Sequence, residues 1–168
     1  MGFVLLLGGA RSGKSDRAAR LALESGMRVT FIATATAGDD EMNERISRHR
    51  SARPAAWSTV EAPVDLVAAV AAAPADRFVV VDCLTLWVSN LLAAGVAADE
   101  ILRRAENVAG ELATRPGVVV SNEVGLGIVP ANELARTFRD VLGGVNAAFA
   151  RCAERSMLMV AGRTLELT

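Results

Sequence analysis

The sequence predicts an α/β fold with a mostly parallel central sheet flanked by helices, and two observations predict it. Short apolar runs rich in β-branched residues recur at 3–7, 28–33, 78–82, 117–121 and 157–161, with helical spacing between them. They show little polar alternation, as expected of strands covered on both faces in a parallel sheet. A glycine-rich stretch then joins the first run directly to a helical one, the order in which α/β sheets build anion-binding turns.

Residues 1–168 read as one domain, a length suited to a single core. A composition of 52% hydrophobic and 22% charged residues excludes a disordered chain. The formal charge of −1 removes a general positive field for nucleic acid, although a local basic patch is still open. Cys83 and Cys152 are too few to staple a domain and form no Cys-x-x-Cys pair, which fits a reducing compartment.

The elements follow in order. The run 3–7 has no basic residue before it and stops at Gly8-Gly9, so it reads as a buried strand, not a signal peptide. The segment 38–54 is charged and almost free of large apolar residues, and reads as a solvated helix or lid beside the sheet. The Ala-rich stretch 64–75 is interrupted by Asp65 and Pro74, which leaves no membrane span and points to a cytoplasmic protein. In 98–113, Ile101, Leu102, Ala105, Val108, Ala109 and Leu112 form one apolar helical face. A second helix is expected over 132–153, with a kink or break at Gly143-Gly144, where each glycine costs about 1 kcal/mol relative to alanine.

The chemistry begins at Gly8-Gly9-Ala10-Arg11-Ser12-Gly13-Lys14-Ser15, which satisfies G-x-x-x-x-G-K-[ST] between a strand and a helix. Inward-turned backbone N–H groups and the helix N-terminus would cradle phosphate, Lys14 would reach the β/γ-phosphates, and Ser15 would ligate Mg²⁺. Lys14 is the only lysine among 18 basic residues, the rest being arginine. A compact ammonium, not a planar fork, suits that position.

Asp82 ends the run 78–82 and is expected to hold Mg²⁺ with Ser15, or else to cap a helix starting near Leu84. His49 lies among Arg45, Arg48, Arg50 and Arg53. Like charge would keep its imidazole neutral and available as a nucleophile; the other reading is an inert surface histidine. Glu123, in the loop 122–130 beyond the run 117–121, is either a catalytic or substrate-binding acid or a turn residue.

Together these motifs resemble the bifunctional adenosylcobinamide kinase/adenosylcobinamide-phosphate guanylyltransferase family of cobalamin biosynthesis. Beyond Gly8 to Ser15, the resemblance runs through 32–36, Asp40-Glu41-Met42, Arg45-Ile46 to His49, Arg53-Pro54, Trp57, Glu61 and Asp82-Cys83-Leu84-Thr85. It continues through 89–92, Asn122 to Pro130, and Arg136, Phe138-Arg139-Asp140, Gly143 and Asn146. The sequence departs from the family pattern after Asn146, where Ala147 replaces a frequent glutamine, and at its end, which lacks a late proline and terminal lysine.

The resemblance implies a RecA-like P-loop fold, a homotrimer, and two reactions. ATP or GTP phosphorylates adenosylcobinamide; GTP then gives GMP to the resulting phosphate through a guanylylated His49. It implies nucleotide contacts at Gly8, Gly9, Ala10, Arg11, Ser12, Gly13, Lys14, Ser15, Thr34, Ala35, Thr36, Arg50, Ser51, Ala52, Arg53, Glu61 and Asp82, and a corrinoid as the second substrate. Two other readings are a P-loop small-molecule kinase without a covalent intermediate and a nucleic-acid-binding ATPase. Net charge and few aromatic residues oppose the latter.

Overall fold

The computed structural model describes residues 2–36, Glu44, Ser47, Arg50, Ser51 and 53–167. Seven strands form one sheet: β1 (Phe3–Gly8), β2 (Arg28–Ala33), β3 (Ser58–Glu61), β4 (Arg77–Asp82), β5 (Gly117–Val120), β6 (Arg155–Val160) and β7 (Arg163–Leu167). Their order is β3-β2-β4-β5-β1-β6-β7. Every neighbouring pair is parallel except β6 and β7. The labelled helices are α1 (Lys14–Glu24), α2 (Leu66–Ala72), α3 (Leu84–Ala93), α4 (Ala98–Leu112) and α5 (Glu133–Cys152).

Alternation along the inner strands feeds two cores. Phe3, Leu5 and Leu7 of β1 and Val79 and Val81 of β4 pack with Trp87, Leu91, Ile101, Leu112, Leu142 and Phe149 from α3, α4 and α5. Leu6, Val80, Val118 and Val120 face the other way, with Ala18 and Ala22 of α1 and the side chains of Phe31, Met157 and Met159. Burial on both faces explains the continuous apolar runs of these strands.

Three elements lie outside the expected set. The edge strand β3 is exposed at all four residues and carries no apolar run to announce it. The other edge, β7, turns back from β6 through Ala161 and Gly162, at φ 50° and 75°. Both residues have positive φ, as tight hairpin turns require, yet the usual Asn-Gly signature is absent. The short helix α2 begins at Asp65, whose carboxylate accepts the Ala68 N–H at 3.3 Å, and stops before Pro74.

Of the kink or break expected at Gly143-Gly144, the break does not occur, since α5 is continuous from Glu133 to Cys152. The reason is packing. A Cβ on Gly144 would come within 2.7 Å of Leu102 Cδ2, so its hydrogen lets α4 and α5 approach, while a Cβ on Gly143 would meet nothing. Burial of Leu142, Val145 and Phe149 along the same helix outweighs the weak intrinsic propensity of the two glycines.

Candidate functional site

The glycine-rich turn leaves the carboxyl end of β1 and enters α1. Gly8 has φ 152°, and a Cβ there would sit 2.3 Å from the Met159 carbonyl and 2.9 Å from Ser12 Oγ. Gly13, at φ 94°, is the N-cap of α1 and has no side chain to cap it, the form of turn that suits an oxyanion at a helix start. Arg11 also adopts positive φ, at 55°, a conformation costly for a residue with a Cβ. Lys14 folds back over the turn: Nζ donates to Gly8 O at 2.9 Å, Gly9 O at 2.7 Å and Ser12 Oγ at 3.3 Å. The ammonium is thus buried and aimed into the loop, while Ser15 follows in the first turn of α1.

Asp82 ends β4 on the same carboxyl edge, with β5 between it and β1. Two strand spacings of ~4.8 Å put the two strand ends about 10 Å apart, a gap a metal–phosphate group can bridge. The N-cap of α3 is Cys83, whose own side chain makes no cap bond. Burial first, and then the neighbouring Asp82 carboxylate, push the Cys83 thiol up to about 11. The oxygen donors Ser15 and Asp82 fit Mg²⁺, which is commonly held by one or two protein oxygens with phosphate and water. Among the described residues no cluster of three or more His, Cys, Asp or Glu could form an all-protein metal cage.

Thr34 follows β2 and clasps this edge. Its Oγ1 donates to Cys83 O at 2.7 Å and accepts from Cys83 N at 2.8 Å, while Asn90 Nδ2 donates to Thr34 O at 2.8 Å. With its side chain fully buried, Thr34 positions the edge, and Ala35 and Thr36 are the more accessible members of the expected trio. Thr36 Oγ1 lies 3.3 Å from Asn90 Oδ1.

Arg50 and Arg53 meet the sheet beside this clasp. Arg50 Nη2 lies 3.3 Å from Glu61 Oε1 at the end of β3. Arg53 places its guanidinium carbon 3.6 Å from the centroid of Phe31, whose ring stacks on Trp57 at 6.2 Å. Burial holds the Arg53 guanidinium below the ordinary arginine value; Asp82 and, more weakly, Glu61 oppose that shift, and Arg50 adds to it. Arg53 is therefore a stiffened cation between two carboxylates and an aromatic plate. Ser51 Oγ donates to Ser47 O at 2.9 Å. His49 and Ala52 lie outside the described residues.

The loop after β5 is tied to the glycine-rich turn through Glu123 N, which donates to Gly8 O at 3.2 Å. The Glu123 carboxylate accepts from the Gly125 N–H, the turn role that the sequence left open. Two supports were missed from sequence. Asn146 links Ser121 Oγ at 2.6 Å and Asn122 O at 3.0 Å, and Thr85 Oγ1 accepts the Asn122 N–H at 2.8 Å. Beyond them the loop tip projects outward, with Ile128 97% exposed.

A parallel sheet, a glycine-rich turn with its buried lysine, and an acid at a nearby strand end define a RecA-like P-loop protein. The archaeal flagellar accessory protein FlaH of Methanocaldococcus jannaschii shares this fold, with a TM-score of 0.50 over 97% of this chain and 74% of that one, at 14% identity. The chain belongs to the cobinamide kinase/cobinamide phosphate guanyltransferase family, whose pattern matches residues 4–167. It is accordingly a transferase with those two activities.

The bifunctional adenosylcobalamin biosynthesis protein CobP of Pseudomonas aeruginosa is 48% identical over 97% of this chain and 95% of its own length. The bifunctional adenosylcobalamin biosynthesis protein CobU of Salmonella typhimurium is 39% identical over 95% and 96%, respectively. The homologue of the same name from Escherichia coli is also 39% identical.

Proposed function

We propose that this enzyme phosphorylates adenosylcobinamide and then guanylylates the product through a covalent intermediate on His49. In the first reaction the aminopropanol hydroxyl oxygen attacks the γ-phosphorus of ATP or GTP. The β–γ bridging P–O bond breaks, and the nucleoside diphosphate and a proton leave. In the second, an imidazole nitrogen of His49 attacks the α-phosphorus of GTP, an N–P bond forms, and pyrophosphate departs. A phosphate oxygen of the cobinamide substrate then takes GMP from the nitrogen, giving adenosylcobinamide-GDP and freeing the histidine. One difficult displacement is thereby divided into two easier ones.

The observation that carries this reading is the sharing of one sheet edge by the buried Lys14 ammonium, Asp82 and the Arg50–Arg53–Glu61 group. Catalysis of either displacement is chiefly charge neutralisation at phosphate oxygens. Residues 8–15 grip the polyphosphate, with Lys14 on its β/γ end. Ser15 and Asp82 would hold Mg²⁺, which when bound would supply charge neutralisation at the phosphates. Thr34, Ala35 and Thr36 shape the wall, Ser51 and Ala52 carry the segment, and Arg50 and Arg53 receive the anion beside His49. Glu61 accepts guanine N1–H and N2–H, a pair of donors that adenine does not present.

The remaining assignments are a homotrimer, a cytoplasmic location and a corrinoid as the second substrate, with no nucleic-acid partner. Among the described residues no helix is long and apolar enough to cross a membrane. The proposal is tested with GTP labelled at its α-phosphate. Label that survives denaturation, leaves in acid and is missing from His49→Ala supports the covalent route. Absence of bound label during active GMP transfer would point to direct displacement.

A further inference from the structure

Away from Glu61, on the other side of the glycine-rich turn, lies a cavity of about 400 Å³ lined chiefly by Asp16, Arg17, Arg20, Gly162, Arg163 and Thr164. We propose that this cavity holds the nucleoside of the triphosphate donor in phosphoryl transfer, so that the two reactions use opposite nucleoside orientations about one phosphate cradle. The inference rests on the kinase and guanylyltransferase reading above.

Continuity is the first argument. Gly13 belongs both to the phosphate turn and to the cavity wall, and Gly162 N donates to Ser12 O at 3.0 Å. The tight β6–β7 turn is thereby pinned against the cradle, and Arg163 and Thr164 face the first turns of α1. A donor whose β-phosphate occupies the turn can pass its α-phosphate directly to this wall, because backbone N–H groups there cradle the α/β-phosphates.

Charge and shape are the second. Three arginines face one aspartate; Arg17 lies 3.7 Å from Glu24. Arg20 and Arg163 have no ion-pair partner among the described residues. Guanidinium planes stack on purine faces, and an aspartate accepts ribose hydroxyls. The volume falls within the range of ~300–1,000 Å³ usual for small-molecule sites.

Distance is the third. Glu61 is on β3 and Arg163 on β7, the two edges of a seven-stranded sheet. Six spacings of ~4.8 Å separate these strands by roughly 29 Å, too far for one base to use both walls. A triphosphate centred on β1 must direct its nucleoside to one side or the other.

The test compares wild type with the double variant Arg20→Ala/Arg163→Ala and with Arg20→Gln as a milder single change. KM is measured for ATP and GTP in adenosylcobinamide phosphorylation, and for GTP in GMP transfer to adenosylcobinamide phosphate. The double variant is expected to raise the phosphorylation KM at least tenfold and Arg20→Gln severalfold, with the KM for GMP transfer within twofold of wild type. Unchanged phosphorylation KM in both variants would overturn the subsite. Equal increases in the two reactions would overturn the opposed orientations. Wild-type enzyme that phosphorylates without ever transferring GMP would instead defeat the underlying bifunctional reading while leaving the phosphorylation comparison intact.

Discussion

Arg50 Nη2 lies 3.3 Å from Glu61 Oε1, joining the arginine-rich segment to the exposed end of β3. Both side chains are well exposed, so solvent screening leaves the contact little weight in stability. Its importance is positional, since it holds Glu61 beside the residues adjoining His49. Glu61→Gln is expected to leave thermal unfolding within about 0.5 kcal/mol of wild type. It should also lower GTP-over-ATP preference in nucleotidyl transfer at least tenfold. Competition kinetics with the two nucleotides check this, and an unaltered preference would remove Glu61 from base recognition.

Lys14→Ala should lower kcat/KM for phosphoryl transfer at least ~100-fold, about 2.7 kcal/mol of transition-state stabilisation. The ammonium is already enclosed by Gly8 O, Gly9 O and Ser12 Oγ, a space shaped for a compact cation. Lys14→Arg is therefore expected to rescue little. Initial rates with saturating adenosylcobinamide provide the measurement, and near-normal turnover in either variant would contradict the assigned role.

Cys83 supplies a pH prediction. Burial first and Asp82 second raise its thiol to about 11, so near pH 8 the reactive thiolate is scarce. Alkylation of the folded enzyme by iodoacetamide should be at least ~100-fold slower at Cys83 than at an ordinary thiol with a pKa near 8.5. The rate should rise about tenfold per pH unit from 8 to 10, provided the enzyme stays folded. Peptide mapping after timed quenching reads this directly, and rapid labelling at pH 8 would contradict it.

Gly143→Ala should stabilise the enzyme by roughly 0.5–1 kcal/mol, because alanine restores helix propensity where an added Cβ meets nothing. Gly144→Ala should gain less, since its Cβ must displace the end of Leu102. Urea unfolding of the two variants side by side checks the ordering, and the reverse order would mean that α4 and α5 pack differently.

Strands β1, β2, β4, β5 and β6 were legible because two covered faces leave uninterrupted apolar runs. Edge strand β3 offers only Ser58-Thr59-Val60-Glu61, and the β6–β7 turn uses Ala161-Gly162 in place of the common asparagine signal. Lys14 and Asp82 were legible as local motifs at strand ends. The Thr34–Cys83 clasp and the Ser121–Asn146 bond join residues 49 and 25 positions apart, so no local spacing announces them. The stacking of Arg53 over Phe31 likewise joins residues far apart in the chain. The Gly143-Gly144 pair misled because propensity registers the cost of glycine but not the helix approach that it permits.

The measurement closest to the central claim is intact mass of the enzyme after brief exposure to GTP and Mg²⁺, before and after addition of adenosylcobinamide phosphate. A single GMP-sized increment is predicted for wild type, absent in His49→Ala and discharged when the acceptor is added. An unmodified wild type under conditions of rapid GMP transfer, or an undiminished increment in His49→Ala, would contradict the covalent histidine.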